Sequence, residues 1–407
     1  MTCRHCGAPL TRNFVDLGTA PPSNAYLSAA DLDAPELHFP LRVKVCDACL
    51  LVQTQDFADA SALFNADYGY FSATSSSWLA HAERYVADMT ARFDLGPDSV
   101  VAEVAANDGY LLQYVAARKI PCYGIEPTAG TAAAARARGI EIVEAFFGEA
   151  LGCSLAAEGR QADLIAANNV LAHVPDINDF ARGFTALLKP DGVATFEFPH
   201  LLRLIEQAQF DTIYHEHFSY LSLTAVTRIF AAAGLAVFDV EELPTHGGSL
   251  RVFAARADAG RQITAAPARV LAEEQAAGLC DGAVYDAFQA RAEAIKNDFL
   301  GTLLAMRASG LTIAAYGAAA KGNTLLNYAG VRGDLIDFVV DRSPGKVGRY
   351  LPGSRIPIVT EGVLRERRPD RIVILPWNIA DEIAGQLDYA RAWGALFLTA
   401  VPEIREF

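Results

Sequence analysis

Short apolar runs that alternate with helix-like patterns occupy the middle of the chain. The runs at residues 100–104, 122–125, 164–167 and 193–198 have the length and composition of buried strands. Helical segments between such strands are typical of a parallel sheet with crossover helices. The pattern predicts an α/β fold with a central Rossmann-like domain over about residues 71–260, and a connecting helix over about 72–94 leads into it.

A second α/β pattern fills the end of the chain. Apolar runs at residues 311–316, 336–340, 372–375 and 395–398 predict strands, and a helix is expected to begin near Lys321. The charged, alanine-rich segment before them, at about 267–307, predicts helices that break near Gly278 and Gly282. We expect residues 261–407 to form a helical bridge and a smaller Rossmann-like domain.

The first 70 residues are rich in proline and contain one alternating run, at 41–45, that predicts a strand. Two Cys-x-x-Cys pairs also lie here, Cys3 with Cys6 and Cys46 with Cys49. Four thiolates suit the tetrahedral geometry of a structural Zn²⁺ site. Free buried thiols and a redox pair are the alternatives. We predict a small zinc-binding module at 1–70.

Charge and composition narrow the function classes. Lys and Arg number 34 against 48 Asp and Glu, a net charge of −14, which argues against a nucleic-acid partner. Hydrophobic residues make up 52%, which excludes extensive disorder. No apolar run reaches the roughly 18 residues of a membrane span, and the first residues do not resemble a secretory signal. We expect a cytoplasmic protein with no membrane partner.

The turn after the first central strand is the candidate cofactor site. It has acidic and amide side chains, and another acid, Glu126, ends the next strand; the candidate residues are Glu103, Ala105, Asn107, Asp108, Gly109 and Glu126. Glu126 stands near the spacing at which an acid binds a ribose diol. Ala105 and Asn107 occupy glycine positions of the dinucleotide fingerprint, which disfavours a nicotinamide cofactor. Acidic groups suit the sulfonium and ammonium of S-adenosylmethionine, although a turn with no ligand is the alternative.

Asn168, Asn169 and His173 follow the third central strand, so they are expected at the same sheet edge. The amides there can hold backbone or cofactor groups. A lone histidine such as His173 is more often structural than catalytic, although its position beyond a strand end favours a catalytic role.

A cluster of titratable groups lies between residues 210 and 220, and it contains Tyr214, His215, Glu216, His217 and Tyr220. An extended segment would place His215 and His217 on one face and Glu216 opposite. A neutral imidazole is a suitable general base near pH 7. A metal site that adds Asp211, or a structural hydrogen-bond cluster, is the alternative.

Two further turns are compatible with either a functional or a purely structural role. The sequence His246-Gly247-Gly248-Ser249 could admit a substrate or be an ordinary turn. The turn at 316–324, which contains Lys321, could bind an anion or be a structural βα turn.

Taken together, these motifs resemble those of the bacterial sugar C-methyltransferases, in particular the C-3′-methyltransferases of TDP-linked 4-keto-deoxysugars. The resemblance spans nearly the whole chain and rests on the Cys pairs, Y-G-Y-F-S-A-T-S-S-S-W at 68–78, E-V-A-A-N-D-G at 103–109, A-N-N-V-L-A-H at 167–173, E-H-F-S-Y at 216–220, H-G-G-S at 246–249 and Y-G-A-A-A-K-G-N-T at 316–324. The chain departs from the family at Ala105, where glycine is usual.

The resemblance implies a structural zinc module, an S-adenosylmethionine domain and a carboxyl-terminal Rossmann-like domain, with a nucleotide sugar between them. It assigns the base to His217 and supporting roles to Glu216, Tyr214, His173 and Tyr68, with Tyr70 as the alternative to Tyr68. The implied reaction is deprotonation next to a ketone and methylation of the resulting enolate. The rival functions are a nicotinamide-dependent sugar oxidoreductase and a zinc-ribbon protein that acts on nucleic acid. Neither the sugar nor the oligomeric state follows from the sequence, and a monomer is compatible with it.

Overall fold

The computed structural model describes residues 1–57 and 71–407, which form three sheets joined by helices. The amino-terminal sheet begins with β1 (Arg12–Ala20), β2 (Phe39–Val45) and β3 (Val52–Thr54), which are antiparallel. The strand predicted at 41–45 is therefore confirmed. Apolar residues of β2 alternate with polar ones, so one face of this sheet is buried and the other faces solvent.

The central domain alternates strands and helices as the sequence predicts. Its elements are α1 (Ser76–Arg92), β4 (Val101–Val104), α2 (Leu112–Ala117), β5 (Cys122–Ile125), α3 (Ala129–Ala137), β6 (Ile142–Val143), α4 (Glu149–Ala157), β7 (Ala162–Asn168), α5 (Ile177–Leu187), β8 (Leu188–Pro199), α6 (Leu201–Glu206), β9 (Ser219–Tyr220), α7 (Leu223–Ala232), β10 (Leu235–Leu243) and β11 (Ser249–Arg256). The predicted connecting helix is α1, and the side chain of Ser75 caps it by accepting from the Trp78 amide.

The main sheet of this domain has the order β10-β11-β8-β7-β4-β5-β6. Strands β4 to β8 pair in parallel, whereas β11 lies antiparallel between β8 and β10. The parallel strands are almost fully buried, which explains why they are visible as apolar runs. Strand β9 is not part of this sheet. It pairs antiparallel with β3 and so becomes the fourth strand of the amino-terminal sheet.

The carboxyl-terminal part contains the helical bridge and a third sheet of order β14-β13-β12-β15-β16-β17. Its elements are α8 (Ala266–Ala276), α9 (Ala283–Asp286), α10 (Phe288–Ala308), β12 (Ile313–Tyr316), α11 (Ala320–Tyr328), β13 (Val339–Val340), β14 (Ile358–Val359), α12 (Glu361–Arg367), β15 (Arg371–Ile374), α13 (Ala380–Gln386), β16 (Leu396–Thr399) and β17 (Arg405–Glu406). The predicted break of the bridge near Gly278 and Gly282 is confirmed. Sheet pairing does not test the predicted boundaries after residues 70 and 260, and they stay predictions.

Helix α10 joins the three parts. Phe288 at its start stacks on Phe14 of β1 with ring centroids 4.3 Å apart, and Phe299 continues the same buried face. One hydrophobic core contains residues from the amino-terminal sheet, the bridge, α6 and the third sheet. The segment between α6 and β9 therefore lies where the three parts meet. Among the described residues, no helix has both the length and the apolar character needed to cross a membrane.

Candidate active site

The four cysteines of the amino-terminal module converge as predicted. The Sγ atoms of Cys3 and Cys49 are 3.5 Å apart, as are those of Cys6 and Cys46, and all of them lie within 4.8 Å of one another. Tetrahedral zinc with bonds of about 2.3 Å separates its sulfur ligands by about 3.8 Å. The donor set and its spacing fit a closed structural zinc site.

The turn after β4 is shaped by backbone conformations that favour glycine. Ala105, Asn107 and Gly109 have φ angles of 60°, 49° and 76°. Glu126 at the end of β5 accepts hydrogen bonds from the amides of Asn107 at 3.0 Å and Thr128 at 2.9 Å, so its carboxylate fixes the turn. Ala105 adopts the left-handed conformation despite its Cβ, which carries a small steric cost.

Several buried oxygens at this sheet edge have no hydrogen-bond partner among the described residues. They are Oδ1 of Asp108, Oδ1 of Asn168 and Oδ1 of Asn169. All are acceptors. Beside them, burial raises the pKa of the Glu103 carboxyl well above its ordinary value, a hydrogen bond with Tyr110 opposes this shift, and a bound cation would favour the ionised form. A ligand that brings N–H and O–H donors and a positive charge satisfies this set. S-adenosylmethionine has those groups, so the residues present fit it.

Helix α1 and the residues before it cover the turn. The amide of Ser72 donates to Oδ1 of Asn107 at 2.9 Å, and the amide of Ala73 donates to Oδ2 of Asp108 at 3.2 Å. Trp78, in the first turn of α1, stacks on Tyr110 with ring centroids 6.0 Å apart. These contacts place the start of α1 directly against the candidate cofactor turn.

His217 lies in a tight turn whose contacts fix its tautomer. Its Nδ1 is 2.9 Å from the carbonyl oxygen of Thr212, which can only accept, so Nδ1 bears the proton and Nε2 keeps its lone pair. No described residue forms a hydrogen bond with Nε2. Burial, assisted by the nearby His173, lowers the pKa of His217 well below its ordinary value, so the imidazole is neutral at pH 7.

His173 faces His217 from the end of β7, with ring centroids 4.6 Å apart. Its Nδ1 donates to the carbonyl oxygen of Glu216 at 2.9 Å, and burial lowers the pKa of His173 to about 4. The ring of Tyr214 packs against His217 with centroids 4.0 Å apart. The structure thus brings these three sequence-predicted residues together around one imidazole.

The consecutive side chains of the cluster diverge. His215 points to the carbonyl oxygen of Phe39 at 3.3 Å, while Glu216 accepts from Nδ2 of Asn24 at 2.6 Å. Because the backbone turns between Tyr214 and His217, the extended arrangement with both histidines on one face does not occur. In the described part of the chain, the grouping of potential metal ligands consists of the cysteines, so the alternative histidine–carboxylate metal site is not formed. Tyr68 and Tyr70 lie outside the described residues.

A buried network that the sequence analysis missed lies beside this cluster. Glu197 on β8 is fully buried, and its Oε2 lies 3.0 Å from Nε2 of His81 and 3.1 Å from Nη2 of Arg251. Burial opposes ionisation of Glu197, but His81 and Arg251 together lower its pKa. His246, in the strained turn between β10 and β11 with φ 55°, packs on Trp78 at 5.5 Å. The H-G-G-S turn was the only sequence signal for this region.

The carboxyl-terminal part closes the other side of the site. Nζ of Lys321 donates to Oδ1 of Asn378 at 2.7 Å and lies 4.8 Å from the ring centre of Trp377. Burial lowers the pKa of Lys321, and the nearby carboxylate of Asp211 opposes this shift. A cation from α11 therefore lies close to the turn that holds His217.

Three family models match successive parts of the chain, and one known protein is similar over nearly its whole length. Family models match residues 3–64, described as "Putative zinc binding domain", residues 78–240, "Methyltransferase domain", and residues 244–402, "C-methyltransferase C-terminal domain". The C-methyltransferase NovU of Streptomyces niveus is 34% identical over 403 residues, covering 99% of this chain and 96% of that protein.

Solved structures overlap with a smaller share of the chain. An S-adenosylmethionine-dependent methyltransferase from Clostridium acetobutylicum covers 44% of this chain and 92% of its own, with 11% identity and a TM-score of 0.36. The magnesium protoporphyrin IX methyltransferase of Synechocystis, solved with bound S-adenosylmethionine, covers 44% and 79%, with 15% identity and a TM-score of 0.34.

Proposed function

We propose, from the premise that this chain belongs to the C-methyltransferase family, that it methylates a carbon next to the ketone of a nucleotide-linked deoxysugar. The specific reaction proposed is methylation at C-3 of a TDP-4-keto-6-deoxyhexose, with His217 as the base. The observation that carries this proposal is the buried, neutral imidazole of His217, whose hydrogen bond to Thr212 directs the Nε2 lone pair away from the backbone.

Two parts of the sequence analysis are confirmed by family membership. The chain is an S-adenosylmethionine-dependent methyltransferase, and its amino-terminal module belongs to a zinc-binding family whose four cysteines are in place. The sugar, the methylated carbon and the individual residue roles belong to the proposal.

In the proposed reaction, Nε2 of His217 removes the proton from the carbon next to the ketone. The C–H electron pair moves into a carbon–carbon double bond, and the carbonyl oxygen becomes an enolate oxygen. A pKa far below 7 keeps the resting imidazole unprotonated, so the base is available without a change of pH. The proton remains on Nε2, and Thr212 continues to accept from Nδ1.

The enolate oxygen requires hydrogen-bond donors placed before the reaction begins. Tyr214 packs against His217 and has a hydroxyl that can donate, and we assign it this role. His173 uses its Nδ1 proton on the Glu216 carbonyl, so we assign it the role of packing against and orienting the base. Glu216 turns toward Asn24 and therefore acts through the shape of the turn rather than as a direct partner of His217. Tyr68 or Tyr70 is proposed to add a further donor.

The turn after β4 is proposed to hold the cofactor. The candidate ligands are Glu103, Ala105, Asn107, Asp108, Gly109, Glu126, Asn168 and Asn169. The unpartnered acceptors among them suit its ammonium, and we assign Glu126 the role of accepting from a ribose diol. When bound, S-adenosylmethionine supplies an electrophilic methyl group to a carbon nucleophile. The proposed methylation needs no metal. Zinc would therefore have a structural role, which is to stabilise the amino-terminal module.

The ammonium of Lys321 supports an anionic substrate. It lies beside the base turn, is buried, and donates to the neutral amide oxygen of Asn378, with Asp211 as a nearby carboxylate. A substrate diphosphate would supply the counter-charge. An ion pair between Lys321 and a diphosphate would favour binding of a nucleotide-linked sugar over a free sugar.

The first experiment is calorimetric titration of the purified protein with S-adenosylmethionine and, separately, with NADH. Saturable one-to-one binding of S-adenosylmethionine alone is expected. Subsequent titration with TDP is expected to show a second site, and Lys321→Gln is expected to weaken that binding severalfold. Binding of NADH without S-adenosylmethionine would instead support the sugar oxidoreductase and would overturn the proposal.

A further inference from the structure

A hydrogen bond between distant parts of the chain leads to the base. Nε1 of Trp377, which follows β15, donates to Oδ2 of Asp211 at 2.7 Å. Asp211 is fully buried, and its Oδ1 has no hydrogen-bond partner among the described residues. Burial raises the pKa of this carboxyl to about 6, while Lys321 and the indole favour its ionised form. The indole is thus the principal neutral donor that holds a buried carboxylate in place.

Asp211 immediately precedes the residue that fixes the tautomer of His217. The carbonyl of Thr212 accepts from Nδ1 of His217, so the direction of that one carbonyl determines which ring nitrogen is free. Thr212 is tied to the carbonyl of Gln209 by its amide at 3.1 Å and its hydroxyl at 2.7 Å. On the other side, Oγ1 of Thr324 on α11 donates to the carbonyl of Ile213 at 2.8 Å. The carboxyl-terminal domain therefore holds the backbone on both sides of the Thr212 carbonyl.

The position of the indole is itself tightly determined. A Cβ at Gly247, which has φ 86°, would lie 2.5 Å from Cη2 of Trp377, so a side chain there would displace the ring. Lys321 covers the ring with its ammonium at 4.8 Å from the centre. Gly247 of the H-G-G-S turn and Lys321 of α11 both lie against the half-buried ring of Trp377, which limits the freedom of its N–H to turn away from Asp211.

We propose that Trp377 is a positioning residue for the base: through Asp211 it fixes the Thr212 carbonyl and thereby the tautomer and orientation of His217. The inference rests on the proposed role of His217. It gives the carboxyl-terminal domain a function in the reaction, although none of its residues needs to touch the reacting carbon.

Trp377→Phe tests the proposal because it keeps an aromatic face under Lys321 and removes the N–H donor. The matched control is Trp393→Phe, which removes an indole bond of 3.1 Å to the Pro369 carbonyl in the same domain with no link to the base. We expect kcat to fall about 10- to 100-fold in Trp377→Phe, with little change in the KM for S-adenosylmethionine. The control variant should retain nearly full turnover.

The tautomer of His217 gives a readout that does not depend on turnover. Nitrogen-15 NMR of histidine-labelled protein, assigned with a His217 variant, should show one tautomer in the wild type and a mixture in Trp377→Phe. Asp211→Asn, whose amide oxygen can still accept from the indole, should retain the wild-type tautomer and most of kcat, whereas Asp211→Ala should resemble Trp377→Phe.

An unchanged tautomer in Trp377→Phe, or an equal loss of kcat in the Trp393→Phe control, would overturn the positioning role. A mixed tautomer with unchanged turnover would support the positioning role and would instead overturn the assignment of His217 as the base. The two measurements therefore separate failure of this inference from failure of the proposed function.

Discussion

The hydroxyl of Thr54 donates a hydrogen bond to the main-chain carbonyl of His217. Thr54 ends β3, and the preceding residue, Gln53, pairs with Ser219 of β9 and also donates from Nε2 to Sγ of Cys3 at 3.2 Å. The cysteine cluster and the proposed base are therefore joined by one short strand. A structural zinc ion in this module would help to hold β3 in place, and through Thr54 it would influence the position of the His217 backbone.

Replacing Thr54 tests this connection. Thr54→Val keeps the shape of the side chain and removes the hydroxyl, so the His217 carbonyl loses a buried donor. We expect kcat to fall about 10-fold while the zinc content stays at the wild-type value. Thr227→Val is the control, since the hydroxyl of Thr227 donates within α7, to the Thr224 carbonyl at 3.0 Å. Equal activities of the two variants would argue against the connection.

Loss of a cysteine ligand should remove the metal. Cys3→Ser is expected to lower the zinc content from about one equivalent to near zero and to reduce the unfolding temperature, because zinc binding is coupled to folding in such sites. Cys280→Ser, at an exposed free cysteine, should leave both values unchanged. Metal analysis and thermal unfolding provide the measurements, and an undiminished zinc stoichiometry in Cys3→Ser would refute the ligand assignment.

The histidine pair offers an internal comparison for the base. His217→Asn should lower kcat by about 10²- to 10⁴-fold, the usual contribution of a general base, and leave the affinity for S-adenosylmethionine nearly unchanged. His215→Asn serves as the control because that ring points away, toward the Phe39 carbonyl. Turnover rates and calorimetric affinities decide the matter. Wild-type turnover in His217→Asn would exclude it as the base.

Glu216 should make stability depend on pH. Burial raises the pKa of Glu216 to about 7 from an ordinary value of 4.5. Its stabilising contribution is present below pH 4.5, where the carboxyl is protonated in both states, and is lost as the pH rises through 7. Glu216→Gln cannot ionise, and its amide oxygen can still accept from Asn24. The variant's unfolding free energy relative to the wild type should therefore be about 2 kcal/mol higher at pH 8 than at pH 5.

Denaturant unfolding of both proteins at the two pH values measures that difference. Glu83→Gln, an exposed position on α1, provides the control and should alter stability equally at both. A gain in Glu216→Gln that is the same at pH 5 and pH 8 would contradict the burial of an ionisable Glu216.

The sequence predicted the strands of the two Rossmann-like parts well because buried parallel strands appear as apolar runs between helical patterns. It also predicted the cysteine cluster, whose ligands lie in recognisable pairs. It could not predict that β9 pairs with β3, because a strand of two residues has no periodicity. The contacts of Thr54 with His217 and of Trp377 with Asp211 join residues that lie 163 and 166 positions apart, and no local pattern indicates them.

The same limit applies to the buried network of Glu197. His81, Glu197 and Arg251 come from a helix and two strands, and each is unremarkable in its own segment. Their association follows from the order of the strands, since β11 lies beside β8. By contrast, residues 167–173 contained polar groups just beyond a strand and residues 210–220 contained several titratable groups in one short stretch, so both were visible as candidate sites before their geometry was known.

The most direct test of the account is the structure of the product formed from TDP-4-keto-6-deoxyhexose and S-adenosylmethionine labelled with carbon-13 in its methyl group. Carbon-13 NMR of a product made from uniformly labelled sugar should show a one-bond coupling between the transferred methyl and the ring carbon next to the ketone. A methyl signal without carbon–carbon coupling, as in an O-methyl or N-methyl product, would contradict C-methylation of this sugar.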